Sequence, residues 1–128
     1  MSIHRDPVFI PSRNKLASGK LHADVLGDFW SETGVGPFAP VFVNRRLTFD
    51  FDEWTEPFPL IHDCFRGSET EFDAILGGIK AARLPYCSNV RGPVDSKAET
   101  EHGGRIVHGN VPDGHQWGML TVSYARQA

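Results

Sequence analysis

Apolar and polar positions alternate in short runs along the chain, with two stretches at helical spacing. The clearest pattern lies between Gly103 and Tyr124, where Ile106–Val107 and Trp117–Val122 flank Val111-Pro-Asp-Gly-His115. Proline presets φ, aspartate bonds its own backbone, and glycine takes positive φ without steric cost. The stretch predicts a β-hairpin, and its strands are the best-specified pair in the chain.

Taken in order, Val8-Phe-Ile10 predicts a strand that stops at Pro11. Ser12 or Asn14 can cap a helix from about Lys15 to Leu26, and Gly27 suits its C-terminal stop. Its apolar face is Leu16, Leu21, Val25 and Leu26, interrupted by Gly19. Phe29 to Pro40 reads as a Gly/Pro-rich loop. Val41–Val43 and Leu47–Phe51 read as a hairpin joined by Asn44-Arg-Arg46. Asp52 to Pro59 is a linker. The order then repeats. Leu60–Phe65 is a strand, and Ser68-Glu-Thr-Glu71 is a capping box before Phe72, Ile75, Leu76 and Ile79 at helical spacing. This helix runs from about Glu69 to Ala82, weakened by roughly 1 kcal/mol for each of Gly77 and Gly78. Tyr86–Val90 is a short strand or loop, and Gly92–Gly103 is polar and turn-rich. An internal duplication of an α+β unit of roughly sixty residues is the economical reading. Two such units side by side can close a cleft suited to a small molecule.

The length of 128 residues allows one domain and one core. A net charge of −3 without a block of like charges argues against nucleic acid or anionic membrane as the main partner. No apolar run approaches the roughly 18–20 residues that span a bilayer. The N-terminal MSIHRDPVFIPSRNK lacks a signal-type apolar core, so a cytoplasmic location is expected. Cys64 and Cys87 fit no metal or redox spacing and read as free thiols.

Several motifs bear a family resemblance. They are Pro11-Ser-Arg-Asn-Lys15, Val35-Gly-Pro-Phe-Ala-Pro-Val41, Leu47-Thr-Phe-Asp-Phe51, Glu71-Phe-Asp-Ala-Ile75, Gly103-Gly-Arg105 and Pro112-Asp-Gly-His115. The chain resembles the vicinal oxygen chelate superfamily, which includes glyoxalase I, bleomycin resistance proteins, fosfomycin resistance enzymes and extradiol dioxygenases. The resemblance implies an α+β fold: one glyoxalase-like domain over 1–128, built of two paired βαβββ modules that form an open barrel-like cup. The first module covers about 5–58 and the second about 59–125. The family holds a divalent metal through a His early in the first strand, a His at the start of the second module, and a Glu in the last strand. The metal chelates two neighbouring substrate oxygens. On this sequence those positions fall on Pro7, His62 and Gly118. Pro7 and Gly118 carry no donor atom, and His4 is too far along the strand to substitute without a register change. A catalytic divalent site generally needs about three protein ligands. The resemblance therefore implies a degenerate site with no metal and no other cofactor.

Strand side chains alternate faces, so Cys64 accompanies His62, Phe9 accompanies Pro7, and Leu120 and Gln116 accompany Gly118. His108 stands where the family often has an aromatic facing the site. The expected cleft is lined by Phe9, His62, Cys64, His108 and Leu120 and widened at Gly118. Trp30 and Phe38, with Trp54, could form its rim. Three readings fit. His62 and His108 act as catalytic acid and base without metal, as in a cofactor-free isomerase, cyclase or epimerase. Alternatively the cup only binds a drug or natural product by aromatic stacking. Or His62, His108 and Cys64 form a non-standard divalent-metal site, as in a lyase or dioxygenase. Plainer readings stand beside these. Cys64 is a small buried hydrophobe, His115 is structural in its turn, and Arg105 only bonds carbonyls. His4, His22 and His102 are surface residues, and the aromatic cluster is core or dimer interface. The expected partners are a small-molecule substrate or ligand and a second copy in a homodimer.

Overall fold

The computed structural model describes residues 3–100 and 103–123, so His102 and Tyr124 lie outside the described residues. The chain divides into two compact units, Met1–Pro59 and Leu60–Ala128.

The first unit comprises β1 (Val8–Ser12), α1 (Lys15–Leu26), β2 (Phe29–Trp30), β3 (Ala39–Asn44) and β4 (Leu47–Glu53). Its sheet has the order β1-β4-β3-β2, with β1 parallel to β4 and the other pairs antiparallel. Asn14 caps α1 by accepting the Ala17 N–H at 3.0 Å, and Gly27 ends it at φ 75°. Pro11 does not stop β1. The strand is the edge of the sheet, where a missing N–H is tolerated.

The inner face of α1 differs from expectation. Gly19, His22 and Val25 are buried, while Leu16 is exposed. His22 is not a surface residue. Its Nδ1 lies 2.9 Å from Asp28 Oδ2, and its ring meets Phe49 and Phe51 edge-on at 5.1 and 6.1 Å. A buried polar group needs such a partner, and Asp28 supplies it from beyond the helix end. The notch at Gly19 has a tenant: the Trp30 ring lies 3.1 Å from where a Cβ would stand.

The second unit comprises β5 (His62–Arg66), α2 (Glu69–Ala81), β6 (Tyr86–Cys87), β7 (Ile106–Asn110) and β8 (Gln116–Leu120). The order β5-β8-β7-β6, with β5 parallel to β8, repeats the order and sense of the first sheet. Neither sheet is closed, and the fold is α+β with two four-stranded mixed sheets and two helices. Ser68 and Glu71 cap α2 reciprocally, with Ser68 Oγ accepting the Glu71 N–H at 3.1 Å and Glu71 Oε1 accepting the Ser68 N–H at 2.8 Å. Phe72 and Ile79 bury the inner face of α2.

Arg105 does more than bond carbonyls. Its guanidinium lies 4.2 Å over the Phe72 ring and pairs with Glu69 at 2.7 Å and Asp73 at 2.8 Å. The Pro-Asp-Gly turn forms as expected, with Gly114 at φ 96°. Buried His115 accepts the Ile61 N–H through Nδ1 at 2.9 Å, which fastens the turn to the approach into β5.

Candidate functional site

Register in the second sheet puts a set of polar residues on one face. Cys64 pairs with Gly118, Gly118 with His108, and His108 with Cys87. This row crosses all four strands. One pleat along, His62, Gln116 and Asn110 form a second row on the same face. Gly109, the residue after His108, faces the other way, and Ile79 of α2 lies 3.3 Å from where its Cβ would be. The His- and Cys-bearing face is thus the one α2 does not cover.

The rows meet at Gly118. A Cβ built there would lie 3.0 Å from Cys64 Sγ, 3.0 Å from His108 Nδ1 and 3.1 Å from His62 Nε2. The two imidazoles contact each other at 3.0 Å, Nε2 of His62 to Nδ1 of His108, with ring centroids 4.9 Å apart. The expectation that Gly118 widens the cleft is corrected: the volume its side chain would occupy is bordered by two rings and a thiol.

Solvation differs among these side chains. Cys64 lies on the edge strand and is exposed as a residue, His62 is half-buried, and His108 is 2% exposed. The reading of Cys64 as a buried hydrophobe is corrected accordingly. Desolvation pushes His108 down to about 4, with proximity to His62 adding to it. Desolvation also lowers His62, with Asp63 opposing and Arg91 reinforcing. Both imidazoles are therefore neutral near pH 7, one donating and one accepting across their contact. The Cys64 sulfur sits in the Gly118 hollow, and desolvation there together with the Asp63 charge raises its thiol to about 11. It is a thiol rather than a thiolate at neutral pH. Iodoacetamide at pH 8 should accordingly label Cys64 at least about tenfold more slowly than a free cysteine. Labelling at the free rate, read by peptide mass, would contradict this.

Behind the histidines the polar groups are paired. Gln116 donates to Asn110 Oδ1 at 2.9 Å and accepts the Arg91 N–H at 2.9 Å, while the Cys87 thiol donates to Asn89 O at 3.1 Å. Cys87 and Asn110 escaped the sequence reading. The two-residue β6 carries no periodic signal, so nothing local placed Cys87 beside His108.

The structure therefore brings together His62, Cys64, His108 and Gly118, with Leu120 buried two residues further along β8. In the first unit Phe9 meets Phe38 edge-on at 6.0 Å and Trp54 at 5.7 Å. Trp30 does not join them. It packs on Gly19 of α1 beside Val41, because its register opposite Val41 turns it to the helix side of the sheet.

No protein-family model matches the chain, and no curated protein matches it. Solved structures do. Oxidase ChaP-H2 is 28% identical over 100% of both chains, with a TM-score of 0.90. A glyoxylase/bleomycin resistance protein/dioxygenase domain from Frankia sp. EAN1pec is 14% identical, covering 94% of this chain and 93% of that one, at 0.72. Fosfomycin resistance protein FosX from Mesorhizobium loti is 11% identical, covering 96% and 94%, at 0.66. The chain has the vicinal oxygen chelate fold. Of the positions onto which the resemblance carries the usual metal ligands, Pro7 and Gly118 have no donor side chain. His62 Nε2 is engaged by His108. Among the described residues no group of three or more His, Cys, Asp and Glu side chains is arranged to hold an ion.

Proposed function

We propose that this chain handles a small organic molecule without a metal, using the His62–His108 pair for proton transfer. The observation that carries the reading is the 3.0 Å contact between two neutral imidazoles on the helix-free sheet face. In the productive tautomer His62 Nε2–H donates to His108 Nδ1, which leaves His62 Nδ1 as the base. His62 takes a proton from an activated carbon of the substrate and becomes an imidazolium. His108 Nδ1 holds the Nε2–H while the charge lasts. Return of the proton to a different substrate atom completes an isomerisation or cyclisation with no net oxidation. Neutral histidine suits this role near neutral pH. Cys64 and Leu120 are the ligand-contacting residues of this reading on the second sheet. The protein works as one domain, as a cytoplasmic homodimer, with neither nucleic acid nor membrane as partner.

The likeness to oxidase ChaP-H2 favours a second reading. The same base forms the same carbanion, which adds dioxygen at carbon; the His62 proton passes to the outer oxygen, so the carbon is oxidised and dioxygen reduced by two electrons to a hydroperoxide.

The test uses the full chain, freed of metal with EDTA, and a panel of enolisable ketones in D2O. Wild type should exchange deuterium into at least one of them. His62→Ala and His108→Ala should slow exchange tenfold or more while leaving ketone affinity within about 1–2 kcal/mol. Oxygen uptake in the same tubes separates the second reading from the first. If EDTA abolishes exchange, the metal-independent reading falls. If no ketone exchanges while Leu120→Ala weakens binding, the site is a binder rather than an enzyme.

A further inference from the structure

A shallow, open depression lies within the first unit, away from the imidazole pair in sequence and in chemistry. Its volume is about 630 Å³, and it is lined by His4, Arg5, Asn44, Arg45, Arg46 and Leu47. Two chain segments build it. Parallel pairing of β1 with β4, starting at Val8 opposite Phe49, lays the segment before β1 beside the β3–β4 turn. Asp6 Oδ1 accepts the Thr48 N–H at 2.8 Å and clamps that segment in place. Asn44 Oδ1 accepts the Arg46 N–H at 2.8 Å and fixes the turn.

Three arginines and a histidine border the depression, in a protein of net charge −3. Arg105 shows what a structural arginine does in this molecule: it pairs with Glu69 and Asp73. Among the described residues Arg5, Arg45 and Arg46 form no such ion pair, and the contact found is Arg46 Nη1 to His4 Nε2 at 3.4 Å. The carboxylate of Asp6, next to Arg5 in the chain, accepts the Thr48 amide N–H. Like charges gathered near one another favour an anionic occupant. Guanidinium forks match carboxylate and phosphate oxygens bidentately, and a basin of this size suits a small molecule.

We propose that the basin formed by Arg5, Arg45 and Arg46 is a binding site for a small polyanion bearing phosphate or carboxylate groups. The site is independent of the proton-transfer pair and stands whether or not that reading holds. Leu47 gives the occupant an apolar contact, and His4 adds a donor.

The test is calorimetric titration of the full chain with inorganic pyrophosphate and with citrate. Both should bind wild type at about 0.02 M salt and more weakly at about 0.3 M, as screening dictates. Arg45→Gln/Arg46→Gln should weaken binding at least tenfold. Lys80→Gln/Lys97→Gln, which removes the same charge elsewhere, should not. The proposal is overturned if neither anion binds wild type, or if the two double variants behave alike. A single-stranded oligonucleotide that binds more tightly than pyrophosphate would overturn it as well, by making the basin a nucleic-acid contact. A preference between pyrophosphate and citrate identifies which oxyanion the basin was built for.

Discussion

Gly118→Val is expected to destabilise the protein by about 2–3 kcal/mol, although valine is the better strand former. Propensity alone favours the substitution by up to about 1 kcal/mol. Packing opposes it. The Cβ would already stand 3.0–3.1 Å from Cys64 Sγ, His108 Nδ1 and His62 Nε2. Two further methyls must displace those groups, and the imidazole contact cannot persist unchanged. Gly118→Ala tests the graded form of the argument. Its neighbours need move only a few tenths of an ångström, so its net cost should be near 1 kcal/mol. Urea unfolding of the three proteins gives the energies, and the imidazole resonances report whether the pair survives. Equal stability of the valine variant and wild type would show that the hollow is open after all.

Acid should weaken the fold well before the carboxylates titrate. His108 sits at about 4 in the folded protein against an ordinary 6.5. Below about 6.5 the unfolded chain binds a proton there, while the folded protein does not until about 4. Stability from this group is complete above the upper value and is lost as pH falls through the window, by about 3 kcal/mol. His62 is lowered by the same desolvation and acts in the same direction. The lowered carboxylates Glu71 and Asp95 contribute only below their ordinary values of 4.5 and 3.8. Asp50, raised by burial and by Asp6, acts in the opposite sense. Unfolding free energies at several pH values between 7 and about 4 should slope downward, and His108→Gln should flatten the slope. A wild-type profile as flat as that of the variant would refute the assignment.

Elements with a local signal were legible in the sequence. The Ser68–Glu71 box, the Asn14 and Gly27 caps and the Pro-Asp-Gly turn each act within a few residues, and each appears where its chemistry places it. What failed depended on distant partners. His22 looks like a surface histidine until Asp28 folds back to it and Phe49 and Phe51 close over it. Gly19 looks like a break in an apolar face until Trp30 fills it. The candidate site shows the same division. Alternation along the strands correctly put His62, Cys64, His108 and Gly118 on one face. Alternation cannot give distances, so the direct imidazole contact and the crowding at Gly118 were invisible. A two-residue strand has no period, and that hid Cys87.

The margins of the two sheets bear on how copies of this protein can associate. Each sheet ends in a two-residue strand on one side, β2 or β6. On the other side β1 carries Pro11, which withholds a ladder donor, and β5 carries Asp63 and Arg66. Short, proline-bearing or charged margins are poor templates for an incoming strand. Within each unit, fibre growth by strand addition is disfavoured at these margins.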